Sequence, residues 1–190
     1  MTVPQLSVLL AAGLCFVSHA WGLVRFFWIP SGPEGRSSHI IERATAATIL
    51  LHAVALLWFR DPAPWGTWSA LALYAVSLVL FWWCVRINRA QPLSLAFSTD
   101  RPDHLVTRGP YAWVRHPFYL SYLLCWLAGV AATGQWLLLA TVLAMGWIYR
   151  RAALAEEAKF AASPLAEAYR QYMTRAGRFV PTPWRRQGGP

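Results

Sequence analysis

The sequence predicts an all-α integral membrane protein of about five transmembrane helices, ending in a short amphipathic helical tail. Three observations predict it. Hydrophobic residues make up 57% of the 190-residue chain and charged residues 13%, against roughly 45–50% and about 25% in soluble domains. The twelve tryptophans exceed what a soluble chain of this size uses, and suit a protein with two membrane interfaces to line. Two long stretches, Met1–Val24 and His116–Tyr149, carry no formal charge, and about 20 apolar residues suffice to cross a bilayer.

Taken in order, Met1–Val24 is a first span, ending at an interface near Arg25 and Trp28. It lacks a basic leading segment and a cleavage site, and further spans follow, so it reads as a retained helix. Ile29–Ser38 is dense in Pro, Gly and Ser and reads as a loop. A second helix runs from His39 to Phe59, with Glu42 and Arg43 at headgroup level, and Arg60–Gly66 turns the chain. A third runs from Thr67 to Val85 and meets the basic residues Arg86 and Arg89. The connection from Arg86 to Trp113 is the longest without helical pattern, and such loops in compact proteins are usually functional or disordered.

His116–Tyr149 overshoots the bilayer as one helix but just crosses it twice as two helices of about 17 residues. Thr133-Gly134-Gln135 supplies the break, so a tight hairpin is expected. Beyond Arg150 and Arg151 a short amphipathic helix continues to Ala162. Ser163 and Pro164 then start a second, since serine caps and proline at the first helical position forfeits no hydrogen bond. It ends near Arg175–Gly177.

The net charge of +9 is spread over scattered residues, all arginine except Lys159. With no soluble basic domain to carry it, the charge suits anionic lipid headgroups and argues against nucleic acid as a partner. With five spans, Arg36, Arg86, Arg89, Arg101, Arg108, Arg115 and the basic tail share one side. Arg60, balanced by Asp61, stands on the other. The positive-inside rule then places the tail and the 103–119 loop in the cytoplasm. Cys15, Cys84 and Cys125 lie in apolar runs without metal-like spacing and read as small buried residues, with neither disulfide nor metal expected.

Asp103–Tyr119 is the one long stretch that is polar, cationic and aromatic together. His116 and Pro117 open the helix that follows it, and a helix N-terminus attracts anions through unpaired amides and its dipole. Arg108, Arg115 and His116 add charge, while Tyr111, Trp113 and Tyr119 offer ring faces. The competing interpretation is an ordinary interfacial loop, with arginines on headgroups and aromatics in a belt.

HLVTRGPYAWVRHPFY, the apolar hairpin after it, Glu156-Glu157 and SPLAEAYRQYMTRAGRFVP together resemble the isoprenylcysteine carboxyl methyltransferase family. That family has related bacterial membrane methyltransferases and phospholipid methyltransferases. The resemblance covers about Leu105 to Pro181. With the spans already read, the chain divides into three N-terminal transmembrane helices over 1–85 and, by the resemblance, a catalytic half over 86–190, with the hairpin at 117–149. The resemblance implies S-adenosyl-L-methionine as methyl donor and a lipophilic or lipid acceptor; the arginine distribution adds the expectation of a bacterial inner membrane with the active site facing the cytoplasm. Cofactor contact carries over to Leu105, Val106, Tyr111, His116, Pro117, Phe118, Tyr119 and either Glu156 or Glu157. Because adjacent helix positions diverge by about 100°, the two glutamates are expected to serve different tasks, with Glu156 on the cofactor.

One departure concerns the acceptor. The resemblance to the eukaryotic enzymes of the family implies a substrate arginine one helical turn before the cofactor glutamate, where this chain has Ala152, or Ala153 if the register shifts. Arg150 and Arg151 stand close by as replacements, and with His116 they form the expected catalytic set. The other readings are a nicotinamide-dependent membrane reductase of the sterol-reductase type, using Arg101, Arg108 and Arg115, and a non-catalytic membrane protein.

Overall fold

The computed structural model describes residues 3–26, 35–58, 64–89 and 102–182, and for 35–41 the helical backbone alone. Among the described residues, five long helices and one short one follow in chain order: α1 (Val3–Phe26), α2 (Gly35–Trp58), α3 (Pro64–Asn88), α4 (Pro117–Thr133), α5 (Leu139–Ala161) and α6 (Ala166–Met173). Short 3-10 turns occupy Gly109–Ala112 and Trp136–Leu138. No β-strand occurs among the described residues; one isolated bridge joins Val114 to Gly177.

Val3–Phe26, Pro64–Asn88 and Trp136–Ala161 are each long and apolar enough to cross a membrane, while Pro117–Thr133 is a shorter apolar helix. The surface fits that role. Leu14, Val17, Val76, Val79, Leu143 and Trp147 are exposed, whereas His19, His52, Ser77 and Ser121 are buried. Apolar surface outward and polar groups inward is the arrangement a lipid solvent demands.

α3 packs most extensively against α4 and next against α1. Small residues let α3 and α4 approach, as at membrane helix crossings generally. A Cβ on Gly66 would stand 2.7 Å from the Ala131 carbonyl oxygen, and the Ser77 hydroxyl donates to the Ser121 carbonyl at 2.7 Å. The expected hairpin is present. Gly134 adopts φ +65° and its amide donates to the Val130 carbonyl at 2.9 Å, closing α4 in the left-handed conformation that glycine tolerates.

The helix bounds depart from expectation at several points. α2 begins at Gly35 and α3 at Pro64, each earlier than the Pro- and Gly-rich composition suggests. As expected, helix continues past Arg150 and Arg151: α5 runs on to Ala161, because Arg, Ala, Leu and Glu are all good helix formers and no breaker intervenes. Ser163 does turn the chain: its hydroxyl accepts from the Leu165 amide at 3.1 Å, although α6 is helical only from Ala166. The expected loop residues 29–34, the turn at 60–63 and Arg101 lie outside the described residues, as do the side chains of Arg36 and His39.

Candidate functional site

The tail folds back on the loop before α4. The Arg115 amide donates to the Gly177 carbonyl at 2.7 Å, Gly177 donates to Trp113 at 3.0 Å, and the His116 amide donates to Arg178 at 3.2 Å. Three backbone bonds thus clamp residues 113–116 against 177–178. Two tyrosines fix the rest of the loop. The Tyr172 hydroxyl donates to the Tyr111 carbonyl at 2.7 Å, and Asn88 Nδ2 donates to the Tyr111 hydroxyl at 2.9 Å.

The clamp and the end of α5 bring three basic side chains around Glu157. Arg178 Nε donates to Oε1 at 3.0 Å and its terminal nitrogen to Oε2 at 2.8 Å. Arg115 donates to Oε1 from Nε at 3.2 Å and from a terminal nitrogen at 3.0 Å, while its other nitrogen donates to the Ala176 carbonyl at 2.6 Å. His116 Nε2 faces the same Oε1 at 3.2 Å. Glu157 is therefore saturated, and only 10% of its side chain is exposed.

Glu156 is placed differently. His116 Nδ1 faces its Oε2 at 3.3 Å and the Tyr119 hydroxyl donates to Oε1. No arginine bonds to it among the described residues, and its side chain is 31% exposed. The two adjacent carboxylates do converge on one imidazole, from opposite nitrogens, which the 100° helical offset did not lead one to expect. Their networks nevertheless differ: one is caged, the other open.

Both His116 nitrogens face carboxylates, and only the protonated ring can donate from both. Burial opposes that charge, but the two glutamates outweigh it and hold the His116 pKa above its ordinary value. With His116 protonated, three cations (Arg115, His116, Arg178) meet two carboxylates, and the cluster carries one net positive charge.

An aromatic wall stands beside Glu156. Tyr119 and Tyr149 stack with centroids 5.3 Å apart and planes 10° from parallel, and His116 stacks on Tyr119 at 5.7 Å. Phe179 meets both His116 and Tyr119 edge-on.

Of the residues singled out from the sequence, Tyr119, His116, Glu156 and Glu157 are together. Tyr111, Pro117 and Phe118 are buried in packing that holds the loop. Val106 packs on the Tyr111–Phe118 cluster, and Leu105 on the cluster of Tyr169 and Tyr172. Arg150 and Arg151 are exposed on α5, with Arg151 over the Trp147 ring at 5.6 Å. Neither bonds to Glu156 or Glu157. Ala152 and Ala153 are wholly buried, so no guanidinium fits at those positions without rebuilding the packing. The guanidinium that sequence reasoning missed is Arg178, which precedes the terminal aromatic-Val-Pro segment, and it reaches Glu157 only because the tail turns back.

A separate groove of about 350 Å³, lined by Trp82, Val85, Arg86 and Arg89, opens at the C-terminal end of α3. Its lining is half apolar and half basic.

Compared with known proteins, residues 65–168 match the family model of phospholipid methyltransferases. A comparison with curated proteins finds no match. The matched segment begins in α3 and runs through the loop, the hairpin and both glutamates into α6.

Proposed function

The chain belongs to the phospholipid methyltransferase family, and on that premise we propose that it transfers a methyl group from S-adenosyl-L-methionine to a lipophilic acceptor. The observation that carries the reading is Glu156: a part-exposed carboxylate between a tyrosine hydroxyl and an imidazole, on the matched segment and beside stacked rings.

The residues fit the donor's chemistry. When bound, S-adenosyl-L-methionine supplies an electrophilic methyl group on a sulfonium. Glu156 retains capacity to accept from an ammonium group, whereas Glu157 is fully engaged by Arg115, His116 and Arg178. The net positive charge of the cluster and the N-terminus of α4 favour a carboxylate alongside. His116 holds both glutamates, so a ligand carboxylate that approaches it competes with Glu156, the more exposed of the two. Tyr119 borders a ring-binding surface, with Leu105, Val106, Tyr111, Pro117 and Phe118 shaping the loop behind it.

A carboxylate acceptor is already ionised at neutral pH, so alignment and exclusion of water are the main demands on the protein. Arg150 and Arg151 are the exposed cations nearest in sequence for holding such a group. An aminophospholipid needs a base instead, and the part-exposed Glu156 carboxylate serves that role better than His116, both of whose nitrogens already face glutamates. The groove at Trp82, Val85, Arg86 and Arg89 offers apolar walls and cations to a lipid with an acidic headgroup. The basic residues favour the cytoplasmic face of a bacterial inner membrane for this end of the molecule.

Thermal stabilisation tests the cofactor. S-adenosylhomocysteine raises the melting temperature of the purified protein and NADPH does not, since a ligand that binds only the folded state stabilises it. The opposite pattern overturns the reading in favour of a reductase. Labelled methyl transfer to a lipid extract identifies the acceptor, and Arg150→Ala and Arg151→Ala lower turnover there if they hold its carboxylate.

A further inference from the structure

A second cluster lies deep in the helical bundle, where α1, α3 and α4 meet. Cys15 and His19 sit one turn apart on α1, and Cys125 faces them from α4. One ligand atom from each can be chosen so that all lie within 4.8 Å of one another, and all three residues are buried. Cys15 and Cys125 stand near the middle of their helices, as do Tyr74 and Ser77 on α3, and His19 lies about one turn beyond. In a protein that spans the bilayer, that is midplane depth.

Small residues at a helix crossing account for the cysteines and serines without any further role. They do not account for His19 or Tyr74. A buried imidazole with only 6% exposure has, as its recorded polar partner among the described residues, the Cys15 sulfur, 3.9 Å from Nδ1 and 4.0 Å from Nε2. Those contacts are too long and too evenly shared to be good hydrogen bonds. The Tyr74 hydroxyl, in the same buried cluster as Cys15 and Cys125 and within electrostatic reach of both, has no hydrogen-bond partner among the described residues. Polar groups left so poorly satisfied in the bilayer interior are costly, and such residues are functional by default.

We propose that Cys15, His19 and Cys125 form a binding site for a single Zn(II) ion. Metal bonds of about 2.3 Å to sulfur and about 2.0 Å to nitrogen span an N···S separation of 3.9 Å at an angle of roughly 130°, so the side chains need only small adjustments. Thiolate and imidazole donors select soft or borderline metals. Charge selects among them: Zn(II) with two thiolates and a neutral imidazole gives a site of zero net charge, the state a low-dielectric interior favours. On binding, each cysteine forms a zinc–sulfur bond and gives up its thiol proton to solvent, and nothing is oxidised or reduced. The Tyr74 and Ser77 hydroxyls are the oxygen donors at hand for a fourth position, Ser77 Oγ lying 3.6 Å from the Cys15 sulfur.

Co(II) titration of the reduced, purified full-length protein tests this. The expected result is one ion bound per chain, with near-ultraviolet thiolate-to-cobalt absorption that Zn(II) abolishes. Cys15→Ser and Cys125→Ser remove that absorption, His19→Ala weakens Co(II) binding at least about tenfold, and Cys84→Ser leaves it unchanged. A wild-type protein that shows no such absorption, or a Cys84→Ser variant that loses it, overturns the proposal. Should the serine variants fail to fold, the wild type still decides: Zn(II) must raise its melting temperature and slow alkylation of two of its three cysteines, and absence of both effects excludes the site. None of these readouts depends on methyl transfer.

Discussion

Glu157 and Arg178 form a bidentate pair, 3.0 Å from Nε to Oε1 and 2.8 Å from the terminal nitrogen to Oε2. The pair joins the end of α5 to a tail segment that the backbone clamp and the Phe179 contacts with His116 and Tyr119 also hold. Removing the guanidinium leaves a mostly buried carboxylate with fewer donors. Arg178→Ala should therefore destabilise the protein by about 1.5–3 kcal/mol, the range for hydrogen bonds to charged groups. Arg178→Lys should restore only part of this, because an ammonium cannot bond both oxygens in parallel. Melting temperatures in detergent check both.

The two glutamates should separate by phenotype. Glu156→Gln keeps the shape of the site but removes the one open carboxylate, so affinity for S-adenosylhomocysteine should fall at least about tenfold with little change in stability. Glu157→Gln should do the reverse first, lowering the melting temperature because Arg115, His116 and Arg178 lose their shared anion. Isothermal titration beside thermal melts distinguishes the two. A Glu157→Gln variant that melts like wild type yet binds no ligand would exchange the roles assigned here.

How much of this was legible beforehand varied with the range of the contact. The hairpin was readable because Thr133-Gly134-Gln135 is a local signal, and the left-handed Gly134 obeys a local rule. Tyr119, His116 and Glu156 were found through a motif. The tail clamp was not, since Val114 and Gly177 pair across 62 intervening residues and no periodicity announces a single bridge. Arg150 and Arg151 are a further local success: the helix expected to continue past them to Ala162 ends at Ala161, since side-chain charge does not interrupt a backbone whose neighbours all favour helix. The Cys15–His19–Cys125 cluster escaped for the same reason as the clamp, because spacing along a chain says nothing about which helices touch.

Stability should depend on pH through His116. Burial opposes the charged ring, yet Glu156 and Glu157 raise its folded-state pKa above the ordinary value of 6.5. The stabilisation from the protonated ring is complete below that ordinary value and is lost as pH rises through the raised one. Melting temperature should thus decline as pH increases through this window, and His116→Ala should flatten that decline. A slope that is unchanged in the variant assigns the titration to another group.

Gly177 decides whether the clamp matters for ligand binding. A Cβ there would lie 1.8 Å from the Val180 carbonyl oxygen and 3.2 Å from the Thr182 amide nitrogen, both backbone atoms that cannot rotate aside. Gly177→Ala must open the turn that carries Arg178 and Phe179 toward the site. It should cost about 1–3 kcal/mol, as for other overpacked positions, and also weaken S-adenosylhomocysteine binding by loosening the cage that holds Glu157 beside Glu156. Gly134 is the control. A Cβ there meets open space, so Gly134→Ala carries only the strain of a left-handed residue, about 1–2 kcal/mol. With comparable losses of stability in both variants, ligand affinity should drop in Gly177→Ala alone. Equal binding in the two would mean that the tail stabilises the fold without shaping the site.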